Sequence, residues 1–350
     1  MKCIWSDCPG FKWNNQTCFM LAPNQTLPIA TQSNGTSIFI RDDLIQKVES
    51  VIAYNGETFH EFIPSTSPLK GFLMTFPDPP TSPHQVLMDF VWGFHICNTL
   101  ERSCHRWYFG TDKWIPMPDL NFPHAEVRDM IRVNQTWWIF GGYGEKQSPD
   151  NTNYPNQLCE YLDDRDRWNQ GPKYLIRYLE GIGVISDSVV MAVGGAHTPK
   201  NYNSFIISVT EFDIVKGFLG HRFSLSRRMF GVTCGNFVAL NGTKLILCLG
   251  GTYSQSEPQF SNETYVYNLE TGGWMEMPEW QVPEPVSFSN LAWFQGNLYV
   301  IGARYGESDR NTVYRFDETT QPAWTVVDML PDHPEEYSRV RTFTRSLVIF

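Results

Sequence analysis

The sequence predicts an all-β protein built from one repeated unit of about fifty residues, and three observations carry that reading. A glycine pair recurs behind a short apolar strand, at Gly141-Gly142, Gly194-Gly195, Gly250-Gly251 and, as a variant, Gly302-Ala303. An aromatic residue closes each unit on the same beat, at Phe59, Trp114, Trp168, Phe218, Trp274 and Trp324. A polar turn opens each one: Asn34-Gly35, Asn134-Gln135, Ser186-Asp187, Asn241-Gly242, Gln295-Gly296 and Thr344-Arg345. Asn-Gly is the strongest short-range hairpin signal, so each unit begins with a hairpin. The shared register of all three signals overrides the two or three domains that length alone would predict.

Taken in order, the units vary around that pattern. In the first, Ile38-Phe39-Ile40 leads into Arg41-Asp42, with the glycines lost, and Asp42 to Ser50 reads as a helix-like insertion. The second places Gly93 behind Phe90-Val91-Trp92. The third is the clearest: Trp137-Trp138-Ile139-Phe140 runs into its glycine pair, a polar loop follows, and a second strand from Leu158 to Leu162 leads through Asp163-Asp164-Arg165-Asp166 to Trp168. Later units repeat it behind Val189 to Val193, Leu245 to Leu249 and Leu298 to Ile301. The chain finishes on Leu347-Val348-Ile349-Phe350, the first half of a unit, and begins with Ile4-Trp5 and Trp13, the second half of one.

A double glycine after an apolar strand, closed by an aromatic at a period near fifty, resembles the kelch repeat. In that family each repeat is one four-stranded blade of a β-propeller. The resemblance implies an all-β, kelch-type β-propeller forming a single domain over 1–350. Six blades are expected near 27–62, 84–118, 126–172, 180–222, 229–280 and 287–330. A seventh, closing blade is expected from 337–350 plus 1–20, leaving no open sheet edge. Crowding of strand ends near the axis accounts for the glycines, and a tryptophan filling the wedge between neighbouring blades accounts for the aromatic.

Composition limits the partners. A formal charge of −10, with no basic cluster beyond Arg227-Arg228, excludes a phosphate-backbone partner such as nucleic acid. No apolar run approaches the ~20 residues of a membrane span. The first thirty residues lack the apolar core of a signal peptide. Six sequons, at Asn15, Asn24, Asn34, Asn134, Asn241 and Asn262, exceed chance and favour an extracellular or secreted protein whose leader lies outside this sequence.

Catalytic chemistry finds little support. The eight histidines are scattered over different units, and Cys-x-x-Cys does not occur, so neither a metal nor another cofactor is expected. His95 and His105 flank Cys97 and Cys104, a conceivable zinc set, but a hairpin disulfide between Cys97 and Cys104 is the reading preferred for an extracellular chain. Cys234 and Cys248 face each other across the Asn241-Gly242 turn if that loop has three residues; two buried thiols are the alternative. The copper-radical oxidases built on kelch-like propellers need a crosslinked Cys-Tyr pair, a second Tyr and two His, and that set cannot be assembled here. Nucleophile elbows and phosphate-binding glycine loops are likewise missing.

Binding is better supported. In an up-and-down blade the hairpins between strands one and two occupy one face of the ring. The loops between strands two and three, and the links between blades, occupy the other. The second-to-third-strand loops are the long ones, and they carry His95, Tyr143, His197, Tyr253, Arg304 and Tyr305 soon after the glycines. Ringed about a channel mouth, these residues suit recognition of a protein or glycan partner. Asn34, Asn134 and Asn241 fall in the hairpin turns, so glycans there leave the loop face open. The resulting expectation is a non-enzymatic interaction module. An intracellular kelch adaptor or scaffold and a carbohydrate-acting oxidase or epimerase are the alternatives.

Overall fold

A computed structural model describes residues 93–108, 113–125, 127, 130–144, 158–175, 179–197, 205–253, 259–294, 296–301 and 312–329. It adds the backbone of strands Lys12–Trp13, Thr17–Cys18, Ile29–Thr31, Ser37–Ile38, Ile45–Tyr54, Phe59–Phe62, Gln85–Phe90 and Arg339–Val348. Among these residues the protein is all-β, with one 3-10 turn at Pro278–Trp280 and no α-helix.

Five four-stranded antiparallel blades follow one another in a β-propeller arrangement, each a simple meander. The first comprises Gln85–Phe90, Gly93–Asn98, Cys104–Tyr108 and Ile115–Met117; the second Ile131–Val133, Thr136–Phe140, Cys159–Leu162 and Trp168–Gln170. The third comprises Gly181–Val184, Val189–Val193, Ile206–Asp213 and Gly217–Met229. The fourth comprises Thr233–Val238, Lys244–Leu249, Thr264–Asn268 and Trp274–Glu276; the fifth Asn290–Phe294, Asn297–Ile301, Thr312–Phe316 and Trp324–Met329. First strands of successive blades lie side by side, as Gly181–Val184 does with Thr233–Val238 and that strand with Asn290–Phe294. First strands are therefore the innermost.

The ends of the chain depart from expectation. Arg339–Val348 pairs over its whole length with Ile45–Tyr54, which pairs in turn with Phe59–Phe62. Residues 1–20, the expected partner of the C-terminal strand, contribute instead a small hairpin in which Lys12–Trp13 pairs with Thr17–Cys18. Arg339–Val348 also lies beside both Asn290–Phe294 and Gln85–Phe90, so this three-stranded sheet stands between the fifth and first blades. Seven blades are not reached among the described residues, and 45–62 belongs to the closing sheet rather than to a blade of its own. The helix-like reading of Asp42 to Ser50 fails from Ile45 onward: Ile45, Val48 and Ile52 recur at helical spacing, but pairing with Arg339–Val348 overrides that local pattern and makes the segment a strand. Thr344-Arg345 is mid-strand and not a turn.

A second correction concerns the first blade. Gly93 opens its second strand, right after the hairpin, instead of closing that strand. A single glycine cannot distinguish a hairpin from a strand end, and the alignment on Gly93 put His95 in a loop where the second strand runs from Gly93 to Asn98.

The core is a series of wedges between blades rather than one central mass. Cys97, Leu120, Met130, Ile139 and Trp168 fill the gap between blades one and two. Phe140, Tyr174, Val190 and Phe212 fill the next. Val209, Leu225, Ile246 and Tyr265 fill the third, and Leu247, Val286, Val300 and Trp324 the fourth. The closing aromatics behave as the wedge argument predicts at Trp168 and Trp324, which are buried. Phe218 is the exception: it is 50% exposed, and Phe223 stacks on Trp274 in its stead.

The glycine pairs are explained by a different crowding from the one expected. All six residues of the three described pairs have positive φ, from 64° to 111°. A Cβ on Gly142 would sit 2.7 Å from Ala125 O, in the link entering its blade, one on Gly194 2.5 Å from Met229 O, at the end of its blade's fourth strand, and one on Gly250 would collide with Val286 O, in the link leaving its blade. The pair is thus pressed against the backbone that enters and leaves the blade, where only glycine permits both contact and conformation.

Turns between third and fourth strands share one device. Asp163, Asp213, Asn268 and Asp317 end the third strand in blades two to five, and each side chain accepts backbone N–H bonds from residues two to four places on. Hydrogen bonds from Arg167 and its neighbours outweigh the upward push of desolvation and hold Asp163 at about 2. Backbone N–H groups of Lys216 and Val215 lower Asp213, and Thr319 lowers Asp317.

Candidate binding face

The long loops between second and third strands leave the same end of the blades as the inter-blade links. Tyr143 directly follows its glycine pair and is tied by a two-way backbone bridge to Ala125. Half-buried, it packs with Leu179 and Phe230 around the buried pair Ala196 and Phe205. In the third blade Ala196 takes the matching place, and His197, one residue on, is exposed. Tyr253 is half-buried in the fourth, with the Arg227 guanidinium 4.2 Å from its ring centroid. Arg227 also pairs with Glu263, whose carboxylate accepts from Ser226 Oγ at 2.9 Å and Tyr265 OH at 2.7 Å. Burial, opposed by the hydrogen bond with Ser226 and reinforced by the Glu263 carboxylate, pushes the Tyr265 phenol up to about 12.

His95 does not belong to this face. It sits within the second strand of the first blade, 5% exposed, and accepts a 2.7 Å hydrogen bond from Arg106 Nε at its Nε2. Burial first, and the Arg106 charge second, hold its imidazole well below the usual range. Arg304 and Tyr305 lie outside the described residues.

The disulfide between Cys97 and Cys104 is formed, so those sulfurs are not available as zinc thiolates. Cys234 and Cys248 are also bonded; Ala239 N donates to Thr243 O, leaving the three-residue loop that brings the two cysteines opposite each other. Among the described residues no group of three His, Cys, Asp or Glu side chains is placed to hold a metal. Asn134 and Asn241 are exposed in the hairpin turns at the opposite end, whereas Asn262 is half-buried on the loop side. Asn15, Asn24 and Asn34 lie outside the described residues; Asn34 falls between the paired strands Ile29–Thr31 and Ser37–Ile38.

Three aromatics of this face escape a reading centred on the glycines. Phe230 lies between Phe205, at 4.3 Å, and Phe288, at 5.5 Å between ring centroids. Phe230 and Phe288 come from inter-blade links, three and two residues ahead of an innermost strand, so no shared offset marked them in the sequence.

No family model matches the chain, and no curated protein matches it. Among solved structures it is similar to YjhT, with a TM-score of 0.57 and 11% identity over 77% of this chain and 91% of that one. At that identity the likeness speaks for the β-propeller fold alone.

Proposed function

We propose that this protein is a kelch-type propeller acting as a binding module outside the cell, and that it engages a protein or glycan partner through its loop face. The observation that carries the reading is the segregation of the two ends. One end bears Tyr143, His197, Tyr253 and the aromatics of the links. The other bears short turns with the exposed sequon residues Asn134 and Asn241. Half-buried aromatics beside a cation are the residue types that dominate binding energy at interfaces. Two cross-strand disulfides fit an oxidising compartment.

The test is affinity capture by the intact chain against a variant carrying Tyr143→Ala, His197→Ala and Tyr253→Ala. Loss of the captured species supports the loop face; undiminished capture rejects it. A mass shift of secreted protein on glycosidase treatment checks the compartment.

A further inference from the structure

The innermost strands of blades two to five line an open cavity of about 260 Å³. Its two sides differ in chemistry. Trp137 and Ile182 present apolar surface from blades two and three. Thr233, Ser289 and Asn290 present hydroxyls and an amide from blades four and five, and Glu180 adds a carboxylate. The polar residues are built in rather than superficial: Glu180, Thr233, Ser289 and Asn290 are all at least nine-tenths buried. Thr233 Oγ1 lies 2.9 Å from Ser289 Oγ, and Tyr174 OH donates to Glu180 Oε1 at 3.1 Å.

A rim stands directly ahead of these strands. Leu179, Gly231 and Phe288 each come two residues before an innermost strand and all have left-handed backbone, at φ 54°, 68° and 56°. They are joined across blades: Gly231 N donates to Leu179 O and Phe288 N to Gly231 O. Glycine adopts this conformation without strain, whereas leucine and phenylalanine do not. Bulky residues kept in a strained conformation point to a role for their side chains. Leu179 packs with Ala196 and Phe205, and Phe288 against Phe230, so this rim joins the strands of the cavity to the aromatics of the loop face.

We propose that this cavity is a binding site separate from the loop-face contact, and that it takes a neutral cyclic polyol of monosaccharide size. The volume is below the range for drug-sized ligands, which sets a single ring as the limit. Such a ring has C–H faces suited to Trp137 and Ile182 and hydroxyls that both donate and accept, which matches the hydroxyls of Ser289 and Thr233 and the carboxyl of Glu180 in kind. The buried acidic group of the cavity is Glu180, while the cation of its lining, Arg132, is exposed and screened, so an anionic ligand is disfavoured.

Saturation-transfer NMR on the whole chain with myo-inositol, D-glucose, D-galactose and D-glucuronate tests this. At least one neutral ring should receive saturation, and glucuronate less. Glu180→Gln, which keeps the shape, and Ser289→Ala should each weaken binding about tenfold by removing one hydrogen bond from a desolvated site. Tyr143→Ala should leave polyol binding intact even where it abolishes partner capture. No transfer to any neutral ring, preference for glucuronate, or unchanged signal in both variants with native circular dichroism would overturn the assignment.

Discussion

Two links between blades do the same topological job with opposite chemistry. The link from first to second blade is held by buried polar groups. His124, fully buried, has its ring nitrogens 2.7 Å from Gly141 O and 3.1 Å from Glu160 Oε1. Glu160, also fully buried, accepts from Asn121 N, Asn121 Nδ2 and Phe122 N. The link from fourth to fifth blade is held chiefly by Val282 and Val286 in an apolar wedge, with neutral bonds from Thr264 Oγ1 and Trp324 Nε1 to Trp280 O. A polar lock is complete or costly, because a buried charge left without its partner has no water to turn to. An apolar one weakens by degrees.

That contrast can be broken by mutation. His124→Ala should cost about 2–3 kcal/mol in urea unfolding, because Glu160 and Gly141 O each lose a buried hydrogen-bond partner that water cannot replace. Ser287→Ala, in the other link, removes only a neutral bond to Thr252 Oγ1 and should cost about 1 kcal/mol. Equal losses would show that the two links do not differ as argued.

Gly250→Ala comes next. Its Cβ would collide with Val286 O at a φ of 65°, and strain and overpacking together should cost about 2–4 kcal/mol. Gly242 has φ 86° but open space around it, so Gly242→Ala should lose only about 1 kcal/mol, from the backbone conformation alone. The gap between the two isolates the pressure of the link.

Smaller effects sharpen the comparison through pH. His95 is held below the ordinary value of 6.5 in the folded protein, so below that pH the unfolded chain takes up a proton that the native state refuses. Stability should therefore fall as pH drops through 6.5, and His95→Gln should flatten that limb in pH-dependent thermal unfolding. Asp213 and Asp317 act lower still. Their carboxyls are depressed in the folded state, so their contribution is present above the unfolded value near pH 4 and lost as pH falls through the folded one. Asp213→Asn should lower stability at neutral pH, where the carboxylate contributes, and blunt the further loss in acid. Cys159, buried and with its thiol pushed up to about 12, should resist alkylation at pH 8 in native protein and react once unfolded, as peptide mapping would read.

The repeat was legible where several signals coincided. Gly141-Gly142, Gly194-Gly195 and Gly250-Gly251 mark the ends of second strands, because positive φ and close backbone approach leave no other residue type. The Cys97–Cys104 bond was legible because a short hairpin faces its flanking residues. Where only one signal was present, the reading slipped. Gly93 was a hairpin glycine mistaken for a strand end, and that error carried His95 from a buried strand onto a loop. Pairing between residues at opposite ends of the chain leaves no local trace, which is why Ile45–Tyr54 was missed as the partner of Arg339–Val348. Glu160 and His124 were invisible for a similar reason: nothing nearby in sequence says that they meet.

That last pairing carries a consequence for how the molecule is made. The closing sheet joins residues roughly 300 positions apart, the kind of long-range contact that slows folding. A ribosome releases Ile45–Tyr54 long before Arg339–Val348, so the early strand waits through most of synthesis with an unsatisfied edge. Whatever shields that edge in the interval governs the yield of intact rings.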